Sequence, residues 1–237
     1  MTLQEAISVF IEQIDPNDLP SDRGYGPHLS AEAIELLKDY SRAAGLASID
    51  QITASTLRDF LARWYIERAI DRKLPSPQIL SRSLAAFFNW ADEHCGAKIA
   101  VECAPVLSEL EASLPRAIEI TSALSKHISE RGGAFSFPEF LTSFEQGGHS
   151  EYDISERGEE SAIEGYFLIE RVEGVRAEGL EIVTDKRAWP IIFPEEVARL
   201  IGTGFIINLE IVRTGDCWQI TDCGFAFPPN TEVLSAE

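Results

Sequence analysis

Residues 187–213 read "RAWPIIFPEEVARLIGTGFIINLEIVR", two apolar tracts on either side of a short helix-like segment. The outer tracts, "RAWPIIF" and "FIINLEIVR", have the β-branched and aromatic content that is typical of strands. Between them, "PEEVARLIG" begins with proline and stops at glycine, the residues that favour the start and the end of a helix. The stretch therefore predicts a strand, a short helix and a second strand in succession.

More strand-like tracts lie on both sides of this stretch. "GYFLIERVEG" and "AEGLEIVT" precede it, and "CWQITD" and "GFAFP" follow a turn at "TGD". Three strands, a helix and two strands are the order of an OB-like five-stranded barrel, with an SH3-like barrel as the alternative that such short tracts leave open. We therefore predict a small C-terminal β-barrel domain at 165–237.

The first half of the chain has helical periodicity. Apolar residues at Leu3, Ile7, Ile11 and Ile14 predict a helix, which a Pro/Gly-rich segment follows, so 1–28 is an N-terminal helix and linker. From 29 to 131, cap residues and apolar stripes predict an α-helical domain of five or six helices, the last from about 102 to 131 with an interruption at Pro115. The predicted fold class is therefore α+β, with an all-α domain before the barrel.

Residues 132–164 differ from both predicted domains and are interpreted as an acidic connector, with one short helix near 138–144. From Phe144 to Glu164 there are seven acids and one arginine. The spacing from Asp153 to Glu164 is similar to a calcium loop, but Arg157 occupies a position where an oxygen ligand belongs. His149 with Glu151 and Asp153 is a set that occurs often by chance. We therefore predict no metal site here.

Composition limits the classes of function. The 237 residues carry a net charge of −19 with 45% hydrophobic residues, which is typical of a globular protein and disfavours nucleic acid as a partner. No apolar run is long enough to predict a membrane span, no secretory signal is seen, and the four cysteines lack metal or redox spacing. These features predict a cytoplasmic protein with reduced thiols. No catalytic motif is found, so we predict neither an enzyme nor a cofactor.

One region resembles a known family. The segments "LSAEAIELLKDYSRAAG", "IDQITASTLRDFLARW" and "SPQILSRSLAAFFNWADEHCG" are similar in order and pattern to the N-terminal core-binding domain of phage integrases and other tyrosine recombinases. The resemblance covers about residues 28–99 and implies a SAM-like helical bundle that in that family clamps DNA. It does not imply recombinase activity, because no histidine of this chain is followed three residues later by arginine and the remaining residues predict a barrel.

The stretch "FLARWYIERAIDRK", residues 60–73, decides whether DNA binding carries over. The candidate residues for docking DNA or a partner are Arg58, Arg63, Arg68, Arg72, Lys73 and Arg82. On a helix, however, Trp64 shares the apolar face with Phe60 and Tyr65, and Arg63 lies four residues from both Asp59 and Glu67. Beyond Tyr65 the apolar side reverses, which predicts either a helix break or a second packing partner for Ile66 and Ile70.

These observations predict a non-catalytic binding or adaptor protein whose helical domain resembles a DNA-binding module. The alternative is a protein–protein interaction or structural module that binds no nucleic acid. An unknown protein is the expected partner, a membrane is not, and the oligomeric state is left open.

Overall fold

The chain folds into a helical region followed by a closed five-stranded β-barrel, which confirms the predicted α+β class. The computed structural model describes residues 1–13, 28–69, 74–131 and 162–233. The acidic connector, with its predicted short helix, lies outside these residues except for 162–164. Those three residues already belong to the first strand, so the barrel begins slightly before the predicted Gly165.

The helical elements follow the predicted order. They are α1 (Leu3–Gln13), α2 (His28–Ala43), a 3₁₀ turn (Ile49–Gln51), α3 (Ala54–Asp59), a π-helix (Phe60–Trp64), α4 (Tyr65–Ala69), α5 (Pro77–Cys95) and α6 (Ile99–Glu130). The Thr53 hydroxyl accepts a hydrogen bond from the Thr56 amide at 3.2 Å, which identifies Thr53 as the cap of α3. Apolar side chains on the inner faces of these helices form the core, including Ile7, Leu37 and Phe87.

Helix α6 differs from its predicted form in both its start and its continuity. The Asp92 carboxylate accepts hydrogen bonds from the amides of Ile99 and Ala100 at 2.9 and 3.2 Å, so the helix begins before residue 102. It also runs as one helix through Pro105 and Pro115, so the predicted restart at Pro115 was wrong. Each proline removes one amide donor. Burial of apolar residues on both sides of Pro115, such as Leu114 and Ala117, supports the continuous helix.

The barrel contains five strands and one short helix. They are β1 (Ala162–Glu173), β2 (Arg176–Glu181), β3 (Lys186–Ile192), α7 (Glu195–Ala198), β4 (Ile206–Thr214) and β5 (Cys217–Phe227). The strand order is β1-β2-β3-β5-β4, and β4 pairs with β1 to close the barrel. All pairs are antiparallel except β3 with β5. The two predicted tracts at 217–228 form the single strand β5.

Packing divides the chain into two units, and the division falls inside α6. One unit comprises 1–115 together with 231–237, and the other comprises 116–230. The second half of α6 thus packs as part of the barrel unit, whereas the sequence places the whole helical pattern up to 131 in the first domain. The predicted domain boundaries remain predictions.

Within the barrel unit, two polar side chains connect the second half of α6 to the barrel. The Thr121 hydroxyl is buried, accepts a hydrogen bond from the Ala226 amide at 2.8 Å and donates one to the Ala117 carbonyl. The Arg116 guanidinium donates to the Leu200 carbonyl just beyond α7. These contacts leave the outward side of β1, β2 and β3 as the more exposed side of the barrel.

Among the helices of the described ranges, none has both the length and the apolar character that crossing a membrane demands.

Candidate functional site

The structure describes four of the six predicted docking residues, and each of them lies in a different helical segment. Arg58 lies in α3, Arg63 in the π-helix and Arg68 in α4, while Arg82 lies in α5. Arg72 and Lys73 fall outside the described residues. The three arginines of the first segments each contact an acidic or aromatic neighbour of the helical region.

Arg58 is held by a carboxylate of α6. Its guanidinium donates two hydrogen bonds to Glu109, one to each carboxylate oxygen, with Nη1 at 3.0 Å from Oε1. A bidentate pair of this kind fixes both position and direction. Arg58 therefore links α3 to α6, and Glu109 compensates its charge within the helical region.

Arg63 belongs to a second polar cluster, together with Asp59, Tyr40 and Glu67. Its Nε donates to Asp59 at 2.6 Å, and the Tyr40 hydroxyl donates to the other oxygen of Asp59 at 2.9 Å. Burial lowers the pKa of the Arg63 guanidinium, but the hydrogen bond and charge of Asp59 outweigh it, so the pKa is raised. The pKa of Tyr40 is also raised, by burial and by Asp59. Both groups thus stay protonated and donate to Asp59.

Arg68 lies against Trp64. Its guanidinium carbon is 3.9 Å from the centre of the indole ring, and Nη1 donates to the Trp64 carbonyl at 3.2 Å. Glu67 lies 3.9 Å from both Arg63 and Arg68. Burial raises the pKa of Glu67 despite these two cations. The sequence prediction that Trp64 is a core residue is confirmed, because only 8% of it is exposed.

The π-helix explains the reversed apolar face after Tyr65. The Tyr65 amide bonds to the Phe60 carbonyl, five residues back instead of four. One additional residue in a turn rotates every later side chain by roughly 100° about the helix axis. Ile66 is therefore fully buried, as are Phe60 and Leu61 before it. The prediction was a helix break or a second packing partner for Ile66 and Ile70. The helix does not break, because the π-helix shifts the buried face and α4 follows it directly. Ile70 lies outside the described residues.

Of the predicted docking residues that the structure describes, Arg82 alone is not engaged by a neighbour. Its side chain is exposed on α5, and within the described ranges no ion pair involves it. The four described arginines thus do not combine into one open cationic surface.

A second group of charged and aromatic side chains, which the sequence analysis did not single out, lies on the barrel. We call the outward side of β1–β3 between Leu168 and Ile192 the outer barrel face. Its residues form cross-strand rows: Leu180 is opposite Leu168 and Arg187, and Arg176 is opposite Glu173 and Ile192. The alternation of charged with small residues over 176–179 was the signal in the sequence for this face.

Trp189 and Arg171 form the middle of the outer barrel face. The Arg171 guanidinium carbon lies 4.1 Å from the centre of the indole ring, which is a cation–π contact. Arg171 also pairs with Glu178 at 3.3 Å and Glu173 at 3.4 Å. Arg187 pairs with Glu170 at 2.8 Å. The face therefore presents aromatic and ionic groups whose pairs are all exposed or partly exposed.

A row of like charges lies elsewhere on the barrel. Glu210 of β4 is opposite Glu164 of β1 and Asp222 of β5. Burial and the neighbouring Glu210 and Asp222 raise the pKa of Glu164, and burial also raises that of Asp222. Among the described residues, no group of three potential ligands has a geometry suited to a metal ion.

Cys103 and Cys223 are not activated nucleophiles. Burial is the main reason why the pKa of Cys103 and that of Cys223 rise to about 12. All four cysteines are unpaired by disulfides. A thiol with such a pKa stays protonated near neutral pH and is a poor nucleophile.

The comparisons with known proteins add no relative to this geometry: no family model matches the chain, and neither the curated proteins nor the solved structures yielded a significant match.

Proposed function

We propose that this chain is a non-catalytic binding or adaptor protein that acts through protein–protein contacts, and that its helical region binds no nucleic acid. The observation that carries the proposal is that three of the predicted docking arginines already contact carboxylates or an aromatic ring of the helical region. Arg58 and Arg63 pair with carboxylates, and Arg68 lies between Trp64 and Glu67. Binding to nucleic acid gains free energy when Lys and Arg side chains displace the counterions condensed on the phosphates, and guanidinium groups already compensated by carboxylates contribute little to this. The net charge of −19 acts in the same direction.

The resemblance to the recombinase core-binding module supports a relation in architecture. The three similar segments coincide with α2, with the 3₁₀ turn through the π-helix, and with α5. We propose that the helical region is a SAM-like bundle that keeps the scaffold of that module. Its arginines stabilise the bundle instead of contacting DNA.

The barrel is proposed to be OB-like. Parallel pairing of β3 with β5 and the position of α7 between β3 and β4 favour this arrangement over the SH3-like alternative. Barrels of this kind serve many functions, so the form by itself names no ligand.

The absence of DNA binding is tested with the intact chain. We expect no change in the fluorescence anisotropy of a labelled duplex at low salt. The variant Asp59→Asn with Glu109→Gln releases Arg63 and Arg58, so weak binding that falls with salt is expected there. Binding by the unmodified chain that falls with salt and is lost in Arg82→Ala would contradict the proposal.

Action through protein contacts is tested by affinity capture with the intact chain from nuclease-treated lysate. A partner retained after nuclease treatment and identified by mass spectrometry is expected, and it should bind again as a purified protein. If every captured protein is lost with the nucleic acid, the proposed mode of binding is wrong.

A further inference from the structure

We infer that the outer barrel face is a surface through which two copies of this chain associate. The inference is independent of the proposed partner binding, because it concerns the chain's contact with itself. It is based on how charge and apolar area are distributed over the barrel.

The first observation is the balance of charge. Residues 162–230 contain eleven acids and six bases. Three acids (Glu170, Glu173 and Glu178) and three arginines (Arg171, Arg176 and Arg187) lie on the outer barrel face, which leaves eight acids and three bases elsewhere on these residues. The face is thus electrically neutral, while the excess negative charge of the barrel lies off it. Two acidic molecules repel least where they present neutral surfaces to each other.

The second observation is incompletely buried apolar area on the same face. Leu168, Leu180, Trp189 and Ile192 are all half-buried, although each belongs to a strand whose inward residues are fully buried. Val175 and Val183, in the turns at either end of β2, are 39% and 65% exposed. Apolar side chains grouped on one face indicate a contact surface more strongly than single exposed ones do.

The chemistry of the face selects its partner. A polyanion or a strongly acidic protein would meet three carboxylates, and a strongly basic one would meet three guanidinium groups. A suitable partner therefore carries both charges in balance around apolar side chains. A second outer barrel face has this composition, and closed symmetric dimers use one self-complementary patch on both copies.

An ion pair of the face can be exchanged between copies. Arg171–Glu178 and Arg187–Glu170 are partly exposed, and such pairs contribute little to the stability of one molecule. Arg187 keeps its contact with the buried Oε2 atom of Glu170, whereas Arg171 can turn to a carboxylate of the other copy at small cost. Arg176, which forms no ion pair within residues 162–233, is free to do so as well.

The inference is tested by sedimentation velocity of the full chain up to roughly 100 μM, where a dimer with a micromolar Kd is mostly assembled. We expect a monomer–dimer equilibrium. Arg171→Glu with Arg187→Glu should raise the Kd by about tenfold or more, which corresponds to the loss of a few ion pairs. Arg199→Glu with Arg213→Glu changes the net charge equally but lies off the face, so its Kd should stay within about twofold.

A charge exchange distinguishes a lost contact from a damaged fold. Glu170→Arg with Glu178→Arg should also weaken self-association, and mixing it with Arg171→Glu/Arg187→Glu should give a heterodimer. Mixing Glu170→Arg/Glu178→Arg with Arg199→Glu/Arg213→Glu instead should give no heterodimer. A monomer at every concentration would overturn the inference, and so would equal loss of the dimer in the on-face and off-face pairs of substitutions.

Discussion

An arginine lies over a tryptophan ring in both regions of the protein, at 3.9 Å for Arg68 on Trp64 and at 4.1 Å for Arg171 on Trp189. In the helical region the ring belongs to the core and the arginine lies over its face. On the barrel the ring is half-buried at an outward strand position, so ring and arginine both remain part of the surface. The same two residue types, arginine and tryptophan, thus contribute to the core in the helical region and to the surface on the barrel, according to the element that carries them.

The two arginine–tryptophan pairs should differ most in how much the free energy of unfolding falls when the tryptophan ring is removed. Trp64→Ala should lower the free energy of unfolding by about 3–5 kcal/mol, because a buried aromatic leaves a cavity. Trp189→Ala should lower it by about 1 kcal/mol or less, because its ring is partly solvated. Urea unfolding followed by circular dichroism measures both. Similar losses in the two variants would show that the rings are equally buried in solution.

A second comparison concerns the carboxylate that pairs with Arg63 in the helical region and one that pairs with Arg171 on the outer barrel face. Asp59→Asn weakens interactions with Arg63 and Tyr40 in a partly buried site, so a loss of about 1–2 kcal/mol in stability is expected. Glu178→Gln affects a single arginine on the outer barrel face and should cost about 0.5 kcal/mol or less. Both are measured by urea unfolding at low and high salt, where the Glu178 effect should nearly disappear. A Glu178→Gln loss as large as that of Asp59→Asn contradicts this difference.

The general architecture could be predicted because it depends on local patterns. The strand tracts around residues 187–213 and the helical stripe through Leu80, Leu84 and Phe88 each have the period of the element that they form. A helix cap is a local feature as well, and the structure identifies Thr53 as the cap of α3. Such patterns are read within a few residues and do not require knowledge of the tertiary contacts.

The details that depend on distant residues could not be predicted. The continuity of α6 through Pro115 depends on burial along the helix, and its start depends on the Asp92 carboxylate seven residues earlier. The partner of Arg58 is Glu109, 51 residues away. The outer barrel face likewise arises only when β1, β2 and β3 pair in register. The π-helix was visible only as a reversal of the apolar face.

A third comparison sets the outer barrel face, where opposite charges are neighbours, against the row of Glu164, Glu210 and Asp222. Like charges on neighbouring strands destabilise a sheet, so Glu210→Gln should stabilise the barrel by about 0.2–1 kcal/mol at pH 7. The matched variant Glu178→Gln on the outer barrel face should give no gain, because Glu178 pairs with Arg171. Thermal unfolding of the two variants and the unmodified chain checks both expectations.

The pH dependence of this gain has a defined sign. The pKa of Glu164 is raised in the folded protein above its ordinary value of 4.5, first by burial and then by the charges of Glu210 and Asp222. Above the raised value the charged Glu164 reduces stability in full, and the penalty is lost as the pH falls below the ordinary value. The advantage of Glu210→Gln should therefore be present at neutral pH and absent in acid. An advantage that does not change with pH would show that charge repulsion is not its cause.

The last expected effect, in which two opposing contributions nearly cancel, concerns Trp64 again. Within the described residues its buried indole N–H has no hydrogen-bond acceptor, and a buried donor without an acceptor costs about 1–3 kcal/mol. Trp64→Phe removes that donor but also some apolar volume, and the two effects oppose each other. The net change in the free energy of unfolding should therefore be within about 1 kcal/mol, far less than for Trp64→Ala. Urea unfolding of the two variants side by side decides the matter. A loss from Trp64→Phe that approaches the loss from Trp64→Ala means that the N–H donates to an acceptor such as a bound water, and the ring would then be held by a polar contact as well as by packing.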